Sequence, residues 1–362
     1  MKNRDSDRFT DHFPVPRPRE CRQRPGKWYL SLFFCVLSAS GAEVVAPGEA
    51  RAKAIQQTLD AIQAELEAHG GSFEKWGESL KEFRDGVRKV QAASGWPWPA
   101  KKNFVFQGRE VSLIMLDTLD SQPDGQRPYD VVLDTHKKLA AEGIDLIFVV
   151  LPDKLAIYPD YLSDKAPEDR MVYPAVKQLM KRLLESGVEV VDLHPAFHEA
   201  RRKNEDRPLY YDKDSHWRNI AAQLAAEKIA ERLRRYDFVQ KALAGEKRYS
   251  LQAEHRDDKP DDLMVVLDSK TGGRYADAGQ SPILITGDSA LMYNMGTRGG
   301  HMPAHIGAQI NMPISFASNT IPPEHFGKLA GRRVVIWANM ARMLVGCKWP
   351  TRSGTPAKPG GK

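Results

Sequence analysis

The apolar positions of this chain recur with two periods, one helical and one extended. Ile55, Leu59, Ile62 and Leu66 recur at helical spacing and predict an amphipathic helix over 51–68. A second helix is expected over 74–92, after Gly70-Gly71 and before Pro97-Trp98-Pro99. From about residue 126 helices alternate with short apolar runs. Helices are expected over 130–141, 173–185 and 217–235, the last on Ile220, Leu224, Ile229 and Leu233. Between them lie Ile144–Leu151, Val188–Leu193, Ile283–Thr286, Val334–Trp337 and a weaker run at Ile314–Ala317. Continuous apolar runs of this length are the mark of strands buried on both faces, as in a parallel sheet. The chain therefore reads as an α/β protein, a three-layer sandwich with a mostly parallel sheet, preceded by an N-terminal helical segment. Residues 239–280, rich in Asp, Lys, Arg and Gly, read as a surface excursion. The helical leader, taken as 43–99, is expected to pack on the main domain, with a partner-facing role as the alternative.

Composition changes this picture little. The chain has 362 residues, 41% hydrophobic and 28% charged, which is ordinary for a globular protein. The net charge of +6 loses its meaning once located: residues 1–42 carry eight basic and four acidic side chains, or +4 of the total. No cluster of cations with interleaved aromatics remains for a nucleic-acid partner, and none is expected.

Those first 42 residues read as a signal peptide or N-terminal anchor. Arg22, Arg24 and Lys27 precede the apolar run Trp28–Ala39, and Ser40-Gly41-Ala42 follows as a cleavage candidate. The run falls short of the ~20 residues that span a bilayer. A periplasmic or otherwise extracytoplasmic location is expected, with anchoring in the inner membrane as the alternative. Phe33-Phe34 before Cys35 does not suit a lipoprotein site. The cysteines are Cys21, Cys35 and Cys347; removal of the leader would leave Cys347 alone, with no intramolecular disulfide possible. The Cys/His spacings of a metal site are absent, and neither metal nor cofactor is expected. The Pro- and Gly-rich tail, 350–362, is expected to be disordered.

Two short motifs carry the candidate chemistry. Gly287-Asp288-Ser289 directly follows the Ile283–Thr286 run. A turn at the carboxyl end of a parallel strand is where α/β sheets place ligands, and a serine opening the next helix has an N–H free to meet an oxyanion. Its bland alternative is an Asp–Ser helix cap. Asp214-Ser215-His216-Trp217 precedes the 217–235 helix. An Asp two residues before a His can fold back onto Nδ1 and leave Nε2 for a nucleophile; its alternative is a cap beside a surface histidine. Together they fill the roles of nucleophile, base and orienter.

The stretch Leu151-Pro152-Asp153-Lys154 with Ile157-Tyr158-Pro159-Asp160-Tyr161-Leu162 resembles the "PDK…YPEYL" segment of the alginate O-acetyltransferase family, the AlgJ and AlgX type also called DHHW. Tyr211–Trp217 is similar to that family's D-x-H-W signature, and Gly287-Asp288-Ser289 to its nucleophile turn. The order of motifs resembles a circularly permuted SGNH hydrolase, over roughly residues 100–345. The resemblance implies an SGNH-like acetyltransferase domain over 100–349, with Ser289 as nucleophile, His216 as general base and Asp214 as its orienter. It implies Asn339, after the Val334–Trp337 run, as a second oxyanion donor, although AlgJ-like sequences tend to be acidic there. Arg342 is a candidate for a substrate carboxylate or acyl oxygen, or a structural ion pair. Asp153 and Lys154 either line the pocket or brace the loop as a pair. Tyr158 and Tyr161 are expected to pack. His194 is expected in a loop, and His301 and His305 in a Gly-rich loop or lid.

The activity so implied is exported polysaccharide O-acetylation through an acetyl-serine. The implied partners are a polysaccharide acceptor and a membrane-bound acyltransferase as acetyl donor. A polysaccharide O-acetylesterase and a non-catalytic polysaccharide-binding subunit are the alternatives. No long apolar lid near Ser289 favours a lipase-like esterase.

Overall fold

A computed structural model describes residues 47–346 except 94–97, 100, 124–126, 255–262, 294–299, 319–321 and 327–328. The leader over 1–42, all three cysteines and the tail over 350–362 lie outside the described residues. No described helix is long and apolar enough to cross a membrane.

The chain opens with helices α1 (Pro47–Ala68), α2 (Phe73–Ser79) and α3 (Lys81–Ala93), then the short pair β1 (Trp98–Pro99) and β2 (Val105–Phe106), and α4 (Gly108–Ile114). The central part runs α5 (Pro128–Ala141), β3 (Asp145–Leu151), α6 (Lys154–Ile157), α7 (Pro159–Leu162), α8 (Pro174–Glu185), β4 (Glu189–Asp192) and α9 (His194–Lys203). After α10 (Asn219–Leu233) and α11 (Asp237–Ala244) come β5 (Tyr249–Glu254), β6 (Leu263–Asp268) and β7 (Gly273–Arg274). The chain then forms β8 (Ile283–Gly287), α12 (Ser289–Met292), α13 (Met302–Gln309), β9 (Ser315–Ser318) and β10 (Val334–Met340).

Among the described residues a sheet of order β4-β3-β10-β8-β9 is parallel throughout. β8 and β10 are buried along their whole length and β3 from Leu146 onward, so both faces of the sheet are covered. This is the layered α/β architecture that the apolar runs predict. Because all strands point one way, the residues following β3, β4, β8 and β10 emerge at one edge. Those residues are Asp153-Lys154, His194, Asp288-Ser289 and Arg342, which brings segments distant in the chain to a common rim.

The leader helices share this core. α1 lies on α8 and β4, α2 lies on α8, and Ile62, Leu66 and Trp76 join the main cluster. Within the expected surface excursion over 239–280, β5, β6 and β7 pair as an antiparallel sheet. β5 is largely exposed, with Leu251 left 44% accessible, so it lacks a clean apolar alternation. α10 buries half of the expected stripe, Ile229 and Leu233, together with its alanines. Ala221, Ala222, Ala225, Ala226, Ile229, Ala230 and Leu233 are inside, while Ile220 and Leu224 are half-buried along a surface groove with Pro195 and Ala200. Alanines allow close approach, and α10 packs closely on α13.

Candidate active site

The nucleophile turn is built by its neighbours. A Cβ at Gly287 would stand 1.7 Å from the Ala338 carbonyl oxygen, so no other residue fits where β8 runs beside β10. Asp288 then caps α12, its Oδ1 accepting from Ala290 N at 2.8 Å and its Oδ2 from Met340 N at 2.7 Å. Burial raises the Asp288 pKa, and the two backbone donors oppose that rise. Asp288 thus locks the turn to the end of β10. Ser289, between buried Asp288 and Ala290, is exposed. Its N–H lies in the first turn of α12, where helix geometry provides no acceptor.

His216 lies 73 residues earlier, and its Nε2 stands 3.0 Å from Ser289 Oγ. Its Nδ1 is 2.7 Å from Asp214 Oδ1, and the same oxygen accepts the His216 backbone N–H at 2.9 Å. The hydrogen bond from His216 holds the Asp214 pKa well below the usual carboxylate range, with burial opposing. Trp217 is buried and its indole N–H donates to Ala290 O at 3.1 Å, tying the histidine loop to the serine's helix. Tyr293, on the turn ending α12, stacks on the His216 ring at 4.5 Å and 11°. Its hydroxyl reaches Asp214 Oδ2 at 3.5 Å. This aromatic partner was not singled out from the sequence; its one signal is a position one helical turn beyond the serine.

The segment 152–162 is the seat of this loop. Tyr210 OH donates to Pro152 O, and Leu209 N donates to Tyr158 OH at 2.9 Å. Lys154, fully buried, donates from Nζ to the carbonyls of Tyr211, Asp212 and Asp214 at 2.8, 3.0 and 2.7 Å. Lys154 thus braces the loop through its backbone and not as the expected pair with Asp153, which is engaged by Arg342. Tyr158 is buried and Tyr161 packs against Phe104 at 4.9 Å between ring centres.

Asp153 and Arg342 form a buried pair beneath the rim. Arg342 Nη1 is 2.8 Å from Asp153 Oδ1, and Arg342 N donates to Asp153 Oδ2 at 2.6 Å. Glu110, from α4, stands 3.6 Å from the same guanidinium and accepts Leu155 N at 3.1 Å. Burial pushes Glu110 up to about 8, with the Asp153 charge adding to it. Burial pushes Asp153 up to about 6 against the pull of Arg342. The Arg342 guanidinium is thus held by two carboxyl groups, away from the substrate role considered for it. Asn339 lies inside β10 rather than after it. It is buried, and neither side-chain polar atom has a partner among the described residues.

The other histidines are placed differently from expectation. His194 opens α9, and His301 and His305 are buried at α13, with His301 facing Asp277 at 3.2 Å and His305 facing Asn219 at 3.0 Å. Pro195 and Pro303 lie in the first turn of these helices, where proline starts a helix rather than a loop.

Residues 106–282 match the family model described as "SGNH hydrolase-like domain, acetyltransferase AlgX", a span that includes Asp214 and His216 and ends before Ser289. The "Probable alginate O-acetylase AlgJ" of Pseudomonas aeruginosa is 22% identical over 134 residues, 36% of this chain and 33% of that protein. The match thus spans a third of that relative's length. The "O-Acetyltransferase Domain of Pseudomonas putida AlgJ" superposes with a TM-score of 0.51 at 17% identity, over 71% of this chain and 95% of that one. Pseudomonas aeruginosa AlgX gives a TM-score of 0.47 at 16% identity, over 67% and 61%. Over residues 106–282 the chain is thus similar to the SGNH hydrolase-like domain described for AlgX, and its fold is that of the AlgJ domain.

Proposed function

We propose that this protein is a serine-dependent O-acetyltransferase that acetylates a polysaccharide hydroxyl through an acetyl-Ser289 intermediate. The observation that carries this reading is the continuous chain Asp214–His216–Ser289, with contacts of 2.7 and 3.0 Å. Ser289 Oγ attacks the acetyl carbonyl as its proton passes to His216 Nε2. Asp214 stabilises the imidazolium and holds the tautomer that leaves Nε2 free to accept. The developing oxyanion is met by the Ser289 N–H, with the unpartnered Asn339 amide as second donor. His216 returns the proton to the donor's departing oxygen. A sugar hydroxyl, deprotonated by His216, then attacks acetyl-Ser289; the acyl–Oγ bond breaks, Ser289 takes the proton back from His216, and the sugar leaves as the ester.

Transfer rather than hydrolysis is supported by the family description and by the relatives' names, which are those of alginate O-acetylases. The acceptor on this reading is a secreted polysaccharide, alginate or a glycan like it. The donor is a membrane-bound acyltransferase, and the site of action is extracytoplasmic, consistent with the basic and apolar leader. Exposure of Ser289 leaves water able to intercept the acetyl-enzyme, so esterase turnover is the side reaction.

The test is p-nitrophenyl acetate hydrolysis by the folded protein, followed by mass spectrometry of oligosaccharide acceptors. Nitrophenolate release abolished in Ser289→Ala, with acetylated oligosaccharide formed only by the wild type, is the expected result. Equal release by both proteins would sink the serine mechanism, and acetate without acetylated glycan would make the protein an esterase.

A further inference from the structure

The loop that carries Asp214 and His216 is held by little regular backbone pairing. Tyr210 and Trp217 form a single bridge, Tyr211 N reaches His216 O at 3.2 Å, and Val105 N reaches Asp212 O at 2.8 Å. Between these contacts the carbonyls of Tyr211, Asp212 and Asp214 converge on Lys154 Nζ. An ammonium group has three protons, and here each has one carbonyl. The rings of Phe104 and Phe106 lie 5.2 and 5.8 Å from Nζ and close the pocket with π faces that favour a cation. A cation therefore occupies the place that a neighbouring strand would take in a sheet.

We propose that Lys154 is a positioning residue: its positive charge, divided among three loop carbonyls, sets the conformation in which Asp214 and His216 face Ser289, and loss of that charge releases the loop. This rests on the reading of Ser289 and His216 as the catalytic pair. A neutral amine has two protons and a lone pair, so one of three converging oxygens would face electron density instead of a proton. The electrostatics make that loss reachable. Burial lowers Lys154 to about 8, although Glu110 from α4 and Asp214 and Asp212 from the loop all favour its charge, with Arg342 opposing. Asp153, next in sequence, is engaged by Arg342. Glu110 also titrates at about 8 and must be separated from Lys154 by mutation.

The experiment measures kcat and KM for p-nitrophenyl acetate from about pH 6 to about pH 10 on the full chain, with circular dichroism at each pH. In the wild type, kcat is expected to fall above about pH 8 while KM moves less than about threefold and the fold persists. Lys154→Arg, which stays charged, is expected to carry that fall upward by at least about one pH unit. Lys154→Met is expected to lose about 10²-fold in kcat at neutral pH, the scale of a small displacement of catalytic groups. Glu110→Gln is expected to keep the fall and move it to lower pH.

An unshifted fall in Lys154→Arg, a Lys154→Met rate within about threefold of wild type, or disappearance of the fall in Glu110→Gln would each overturn the proposal. If the lysine variants do not fold, the proton NMR signal of the His216–Asp214 hydrogen bond in the wild type decides. It should broaden or move as the pH passes about 8, and a signal constant to about pH 9.5 overturns the proposal. A wild type with no turnover at any pH would refute the enzyme reading instead, and the same NMR signal would still report on Lys154.

Discussion

Among the described residues two Asp-x-His turns share one local geometry, and one of them has a serine in front of it. In Asp192-Leu193-His194 the His194 N–H donates to Asp192 Oδ1 at 3.0 Å and Nδ1 stands 2.9 Å from that oxygen. In Asp214-Ser215-His216 the corresponding distances are 2.9 and 2.7 Å. Both copies stand near the carboxyl rim of the sheet. The first is sealed, with the His194 and Asp192 side chains 3% and 8% exposed, and the second is open, at 23% and 45%. Asp192 also binds Lys177 at 2.5 Å, and Lys177 binds Glu65 of α1 at 2.7 Å. His194 Nε2 has no partner among the described residues, whereas His216 Nε2 meets Ser289. An Asp-x-His turn is thus a folding device that orients an imidazole. On the proposed mechanism it becomes a catalytic one where another strand brings a hydroxyl to the free nitrogen.

The sharpest way to break this comparison is to remove the two imidazoles in turn. His216→Ala, like Ser289→Ala, should lower kcat for p-nitrophenyl acetate by at least about 10⁴-fold, with an unchanged thermal melt. His194→Ala should keep kcat within about threefold and lower stability by roughly 1–3 kcal/mol, because Asp192 Oδ1 is left buried with less to bind. A loss of turnover in His194→Ala at preserved stability would make the sealed copy functional.

The acids should divide in the same way. Asp214→Asn should cost about 10²–10⁴-fold in kcat by favouring the wrong tautomer. Asp192→Asn should leave turnover near wild type and cost about 3 kcal/mol in urea unfolding, since Lys177 keeps only Glu65.

Acid titration sharpens the contrast further. Burial alone would raise the Asp192 pKa, but Lys177 and His194 hold it far below the usual range. A depressed folded pKa gives stability that is fully present above the unfolded carboxylate value of about 3.9 and is lost as the pH falls toward the folded one. The urea midpoint should therefore drop below about pH 4 in the wild type, and Asp192→Asn should flatten that slope. Equal slopes in the two proteins would remove Lys177–Asp192 from the acid response.

The smallest expected effect concerns Tyr293. Tyr293→Phe keeps the ring on His216 and should change kcat by less than about threefold. Tyr293→Ala loses the stacking and should cost up to about tenfold, the scale of an aromatic pair. Equal effects of the two substitutions would give the hydroxyl, not the ring, the main role.

The strands were legible because burial on both faces gives continuous apolar runs, as in Leu146–Leu151 and Val334–Ala338. α10 was legible as a helix and half legible in its orientation: Ile229 and Leu233 lie inside as their spacing predicts, but Ile220 and Leu224 lie at the groove and alanines take their place. α9 and α13 were read as loops, though each carries a proline in its first turn, Pro195 and Pro303, that marks a helix start. The side chains of Asp214, His216 and Ser289, singled out by their motifs, converge in space. The cradle around Lys154 was not readable, because its acceptors are main-chain carbonyls 57 to 60 residues away that any side chain could accompany. Whether Asp153 and Arg342 meet substrate or each other likewise depends on a distance across 189 residues.

The order β4-β3-β10-β8-β9 gives the middle of the sheet to β10, the last strand in chain order among the described residues. Until residues 334–340 emerge during synthesis, β3–β4 and β8–β9 are two half-sheets with facing, unsatisfied edges. The rim that holds Lys154 and the one that holds Ser289 are on opposite halves. Without β10 no strand would join the half-sheet that seats the imidazole loop to the half-sheet that carries the hydroxyl, so β10 sets the registry between the two.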